Sequence, residues 1–189
     1  TDLVATILHP LQRYYPEQFQ LAPLTILFDA QRDLHQFSPD VAYLYQQQMA
    51  EADLLLLNKI DMLSPEQGQH QQIEMSLNVP QAQVMTLSAQ TGDGVEPWLR
   101  TVMSSNTHDY QPLDLDYQRY AAAEAELGWL NAQGVLVGSP PFLATNWATT
   151  LLSQLAEIWA KQDAPIGHVK LSLKIDDSLF KVSLIQHGN

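Results

Sequence analysis

The chain has 189 residues, 46% hydrophobic and 16% charged, enough for one full domain or for one domain and part of another. It contains no cysteine, which excludes disulfides, thiolate metal sites and a cysteine nucleophile within this sequence. Nine basic residues against 21 acidic ones leave a net charge of −12, so neither a nucleic-acid backbone nor an anionic membrane is an expected partner.

No apolar run approaches the roughly 20 residues that span a bilayer, and no basic segment followed by an apolar core opens the chain, so a cytoplasmic location is expected. The first residues run straight into an apolar pattern at Leu3, Val4, Ile7, Leu8 and Leu11, which reads as a sequence beginning inside a domain. Three short apolar or β-branched runs follow, Leu24 to Phe28, Leu54 to Leu57 and Val84 to Leu87, the pattern of strands covered on both faces of a parallel sheet. Between and after them lie segments long enough for helices, Pro39 to Glu51, Ser64 to Leu77 and Val95 to Met103, with Ser64 as an N-cap and Pro65 at the first helical position. The glutamine runs Gln46 to Gln48 and Gln67 to Gln72 read as solvated helix faces. This βαβαβα order predicts a three-layer α/β domain.

Charge and pattern change near residue 112. Residues 1–112 hold 13 acids and four bases, residues 113–189 eight acids and five bases, and the polar stretch Ser104 to Pro112 reads as a linker. Tyr117 to Val137 is ambiguous, its Ala121 to Leu127 part favouring helix and its Gly128 to Val137 part favouring strand, the latter reading being preferred for the second half. Trp147, Leu151, Leu155 and Ile158 or Trp159 recur at helical spacing within Ala144 to Gln162. Val169 to Ile175 and Phe180 to Leu184 alternate apolar with polar as two arms of a hairpin. A two-residue turn at Asp176 and Asp177 pairs Val169 with Leu184, Leu171 with Val182, Leu173 with Phe180 and His168 with Ile185; a four-residue loop, Asp176 to Leu179, would instead set His168 against His187. The first register is preferred. The expected sum is a small α+β domain of βαββ order over 113–189, lacking its last elements, with Trp129, Phe142, Trp147 and Trp159 in its core.

Chemistry concentrates after the second and third strands. Asn58, Lys59 and Asp61 follow the strand Leu54 to Leu57, at the carboxyl end where open α/β sheets bind ligands. An aspartate there can accept the two ring-edge protons of guanine in a bidentate, charge-assisted match that adenine cannot offer, and a lysine stem can pack along the purine. The plainer reading of Asn58 to Asp61 is a polar strand-to-helix turn. The next strand ends in Ser88, Ala89, Gln90, Thr91, Gly92, Asp93 and Gly94, a tight turn whose backbone N–H groups can meet a base carbonyl. Asp29 ends the first strand, placed either to reach a nucleotide-linked water or, as preferred, to bond its local backbone.

The motif Asn58-Lys59-Ile60-Asp61, followed by Ser88-Ala89-Gln90-Thr91-Gly92-Asp93-Gly94, resembles the guanine-specificity motifs of P-loop GTPases. Thr1 to Leu11, Leu27 to Ala30, Ala123 to Ala132 and Ile166 to Lys170 look like the CobW-type metal-chaperone GTPases among them, a resemblance along nearly the whole chain. It implies a partial P-loop NTPase sheet, a GTP-binding part over 1–112 and a CobW-type C-terminal domain over 113–189. It further implies that Asn58 and Asp61 read guanine, that Lys59 stacks on it and that Ser88 and Ala89 close over its carbonyl edge, with Gln90, also of the guanine site, standing where the family commonly has lysine. GTP, magnesium and a zinc or cobalt cargo, with a metalloprotein or cofactor-assembly client, are the ligands and partners it implies. In the family the phosphate loop, the magnesium-binding acidic segment and a cysteine-rich metal motif precede the region matched here, and no Gly-x-x-x-x-Gly-Lys-Ser/Thr or Asp-x-x-Gly occurs in this sequence. This chain alone is therefore expected to be inactive, and no catalytic or metal-ligating residue is assigned in it. The alternative is a degenerate, non-catalytic GTPase acting as a partner-binding module. His9, His35, His70 and His108 read as solvent or packing residues, and His168 with His187 as ordinary sheet histidines. Lys170, Lys174 and Lys181, with His168, Ser172 and Ser183, form a locally basic sheet face, solvated on the simpler reading and a partner surface on the other.

Overall fold

The computed structural model describes residues 3–104, 110–162, 164 and 166–184. The chain folds as two compact units, Thr1–Leu127 and Gly128–Asn189.

The first unit opens with a π-helical turn, Val4–Leu8, running into helix α1, His9–Tyr14. Strands β1 (Thr25–Asp29), β2 (Leu54–Asn58) and β3 (Gln83–Thr86) then form a parallel sheet in the order β1-β2-β3. Leu54, Leu55, Leu56 and Leu57 are all buried, which explains why β2 is apolar without alternation: helices cover both faces of this central strand. Phe28, Leu55 and Leu57 pack on one face with Met49 of α2 (Pro39–Ala50), Val79 and Met75 of α3 (Pro65–Asn78). The side chain of Thr25 alternates to the other face, where Trp98 of α4 (Val95–Ser104) donates its indole N–H to the Thr25 hydroxyl at 3.2 Å. The domain is thus three-layered α/β, as the run pattern predicts, and its parallel sheet is consistent with the partial P-loop NTPase fold expected. Ser64 caps α3 as expected, its hydroxyl accepting the Gln67 N–H while the Gln67 side chain accepts the Ser64 N–H.

At the amino end of the sheet, Tyr110 ties the chain back to the start of β1. Its hydroxyl donates to Asp53 Oδ2 at 2.6 Å and accepts the Leu24 N–H at 2.9 Å, and its ring packs with Val4 and Leu24. Burial, with the Asp53 carboxylate beside it, holds the Tyr110 phenol above the ordinary tyrosine range.

Helix α5, Tyr117–Glu126, belongs to this first unit and not to the second, so the compact unit runs past the boundary expected at residue 112. The reason is local. Ala123 is fully buried against Val41 and Leu44 of α2, Arg119 donates to Asp40 at 2.9 Å with its guanidinium over the Tyr43 ring, and Ser38 is hydrogen-bonded to Glu126. Residues 105–109 of the expected linker, including His108, lie outside the described residues.

In the second unit, helix α6 (Ala144–Lys161) packs on the antiparallel pair β4 (Val169–Ile175) and β5 (Ser178–Leu184). The hairpin has the preferred two-residue turn, with Val169 opposite Leu184, Leu171 opposite Val182 and Leu173 opposite Phe180. Ile185 and His187, which the two registers set against His168, lie outside the described residues. Lys170, Ser172, Lys174, Lys181 and Ser183 are exposed on the face away from the apolar positions.

Two expectations fail here. The strand expected over Gly128 to Val137 does not form, so among the described residues the unit is αββ and not βαββ. The Val135, Leu136 and Val137 run has β propensity but no neighbouring strand takes up its hydrogen bonds, and propensity without a partner does not make a strand. Trp129, at 88% exposure, and Phe142 are not core residues; Ala148 and Leu152 of α6 are buried instead, with Trp147 and Trp159 half-buried.

Candidate guanine-reading edge

The carboxyl ends of β1, β2 and β3 bring the sequence motifs onto one edge of the sheet. Parallel pairing sets Asp29 beside Asn58 and Leu57 beside Thr86, so the segments after β2 and β3 leave the sheet side by side. Asn58 joins them: its side-chain oxygen accepts the Lys59 N–H at 2.9 Å and the Ala89 N–H at 3.0 Å. The Asn58 amide nitrogen has no partner among the described residues.

Lys59 is left-handed, with φ 69° and ψ 32°, a conformation that costs a non-glycine residue about 1 kcal/mol and turns the chain sharply after the strand. The bond from its N–H to Asn58 helps to hold it there. Its ammonium lies 2.6 Å from Asp29 Oδ2, with the lysine side chain 34% exposed and the aspartate 14%. Asp61 stands in the short 3₁₀ turn Ile60–Met62, exposed, and its carboxylate has no partner among the described residues.

The turn after β3 is closed by its own hydrogen bonds. Ser88, fully buried, accepts the Thr91 N–H on its hydroxyl and the Gly92 N–H on its carbonyl, while its own N–H reaches the Asp93 carbonyl. Thr91 Oγ1 accepts the Asp93 N–H. With Ala89 bonded to Asn58, Gln90 and Gly94 are the residues of this turn whose N–H groups have no partner among the described residues. Ala89 and Gln90 are both exposed. Gly94 is required by space as well as by its φ of 75°, since a Cβ there would stand 2.2 Å from the Thr86 carbonyl oxygen.

The motif residues Asn58, Lys59, Asp61, Ser88, Ala89 and Gln90 are therefore gathered, with Ser88 shaping the turn from within. Residues 3–86 match the family model described as CobW/HypB/UreG, nucleotide-binding domain. Over that segment the chain is similar to that family. No curated protein and no solved structure matches the chain. The match supports a nucleotide-binding role of the GTPase type; it includes Asn58 to Asp61 and ends two residues short of Ser88.

Asp29 was underread in the sequence. Its Oδ1 does accept a local backbone N–H, that of Gln31 at 3.0 Å, as preferred, but its other oxygen holds Lys59. Two charged residues at the ends of adjacent strand segments are the signal, usable only once β1 and β2 are paired in register. Among the described residues no three His, Asp or Glu side chains converge as a metal site. No helix among them is long and apolar enough to cross a membrane.

Proposed function

We propose that this edge reads guanine, and that the chain is the guanine-reading portion of a CobW-like GTPase in which GTP binding and hydrolysis are coupled to delivery of a divalent metal, zinc or cobalt, to a client protein. The observation that carries the reading is the unengaged state of three complementary groups on one sheet edge. Asp61 offers a carboxylate acceptor pair, Asn58 a free amide donor and Gln90 a free backbone N–H, while Asn58 Oδ1 and Lys59 are already committed to holding the edge together.

Guanine presents two adjacent N–H donors where adenine presents one donor and an acceptor, so a fixed carboxylate favours the former through two charge-assisted bonds. The purine ring would lie against the half-exposed Lys59 stem, and its carbonyl would meet the Gln90 N–H. The sequence expectation that Ala89 closes over that carbonyl shifts by one residue in this proposal, because the Ala89 N–H serves Asn58. Hydrolysis is assigned to no residue of this chain.

The test is a swap of donor and acceptor. Asp61→Asn presents an amide N–H₂ where the carboxylate presented an acceptor, and xanthine has a carbonyl where guanine has its exocyclic amine. The variant should bind guanosine monophosphate about tenfold or more weakly, a loss of about 1.4 kcal/mol, and should gain affinity for xanthosine monophosphate. Unchanged guanosine monophosphate affinity in this variant defeats the proposal.

A further inference from the structure

We infer that Asp29 is a positioning residue of the guanine site, fixing the Lys59 ammonium so that the lysine stem is presented as the surface on which the purine lies. The inference rests on the guanine-reading proposal and names a residue outside the two guanine-specificity motifs.

Both ends of Lys59 are held. At the backbone end, its N–H is bonded to Asn58 and its φ of 69° sets the side chain's direction of departure. At the far end, the ammonium sits 2.6 Å from Asp29 Oδ2. Asp29 is itself oriented, because its Oδ1 accepts the Gln31 N–H and its backbone is paired with Asn58 in the sheet. The aspartate side chain is 14% exposed and the lysine side chain 34%, so the aspartate is largely sheltered while part of the lysine side chain stays open to a ligand. A free lysine carries about 2 kcal/mol of rotamer entropy, part of which is lost when a ligand packs on the stem. A stem anchored at both ends has surrendered that freedom before the ligand arrives, which is how preorganisation strengthens binding. Arg32, the base that follows β1, donates to the Tyr45 hydroxyl and lies over the Phe37 and Tyr45 rings.

Uncharged guanosine is the probe, so that no phosphate bears on an ammonium released by mutation. The wild-type chain, Asp29→Asn, Asp29→Glu, Lys59→Met and the Asp29→Asn/Lys59→Met double variant are titrated by NMR, with adenosine as control. The Lys59 ammonium resonance is followed in the variants that keep the lysine. Asp29→Asn should release the ammonium to fast exchange and weaken guanosine binding about fivefold to tenfold, about 1 to 1.4 kcal/mol. Asp29→Glu should restore most of it. Lys59→Met alone should show a similar loss, and Asp29→Asn should add nothing in the Lys59→Met background, because the aspartate acts through the lysine.

A wild-type chain that prefers guanosine while Asp29→Asn binds it equally well, with the ammonium released, overturns the inference alone. A wild-type chain that ignores guanosine or treats adenosine alike overturns the guanine reading and the inference with it. Should Asp29→Asn fail to fold, Lys59→Met decides: guanosine affinity equal to wild type overturns the positioning role, and a loss of the stated size upholds it.

Discussion

Removing the Asn58 side chain is the sharpest perturbation of the edge, because one oxygen there serves two segments. In Asn58→Ala the Lys59 N–H and the Ala89 N–H both lose their acceptor. Each bond is worth about 0.5 to 1.5 kcal/mol net. Ala89 is exposed and its N–H is readily rehydrated, placing it at the low end; Lys59 is half-buried and also loses a support for its left-handed backbone, placing it at the high end. The expected sum is about 2 kcal/mol, a fall of about 1 M in the urea midpoint for a slope of about 2 kcal/mol per molar. Asn58→Asp keeps the acceptor oxygen and loses only the free amide donor, so its stability should stay within about 1 kcal/mol of wild type while guanosine monophosphate binding falls as in the alanine variant. Urea unfolding and a nucleotide titration on the three proteins separate the two roles. An alanine variant as stable as wild type, or an aspartate variant as damaged as alanine, refutes the assignment of Asn58 as the clamp.

Two further outcomes concern the frame. Tyr110→Phe leaves Asp53 Oδ2 with the Leu24 N–H but without its phenol donor, and should cost about 1 to 2 kcal/mol in chemical denaturation. The Tyr110 phenol is raised in the folded chain above its ordinary value of 10.0, so its contribution is complete below about pH 10 and is lost as pH rises beyond that, where the unfolded chain ionises first. Thermal melts from pH 8 to 11 should therefore show an alkaline loss in wild type that is smaller in Tyr110→Phe. Gly94→Ala places a Cβ against the Thr86 carbonyl oxygen at a positive φ and should destabilise the first unit by about 2 kcal/mol or more, visible as a lowered melting temperature; a melt unchanged from wild type would mean the turn after β3 can relax around a side chain.

The strands of the first unit were legible because β2 is buried on both faces and so carries no polar residue from Leu54 to Leu57. The helix starts were legible through capping chemistry at Ser64 and Pro65. The hairpin register followed from strict alternation and a turn of two aspartates, which leaves only one pairing that keeps the apolar residues on one face. What failed depended on partners far away in sequence. Val135 to Val137 has the composition of a strand, but a strand is a pairing and not a property of a segment, and Trp129 is apolar without anything to pack against. Helix α5 was foreseen as helical in part, yet its attachment to α2 depends on Arg119 meeting Asp40 and Tyr43 across a long separation, which placed it in a different unit from the one expected. The same limit hid the pairing of Asp29 with Lys59 at the candidate site, whose motif residues were otherwise named from their place after β2 and β3 and from their resemblance to guanine-specificity motifs.

The most direct measurement is an NMR titration of the chain with guanosine monophosphate and, separately, adenosine monophosphate, at about 0.15 M salt to screen the acidic protein from the phosphate. With base contacts alone, a dissociation constant on the order of 1 mM for the guanine nucleotide is expected, about −4 kcal/mol. The account predicts saturable shifts at Asn58, Lys59, Asp61, Ala89 and Gln90 with guanosine monophosphate and little change with adenosine monophosphate. Equal responses to both nucleotides, or shifts confined to residues away from the ends of β2 and β3, would contradict it.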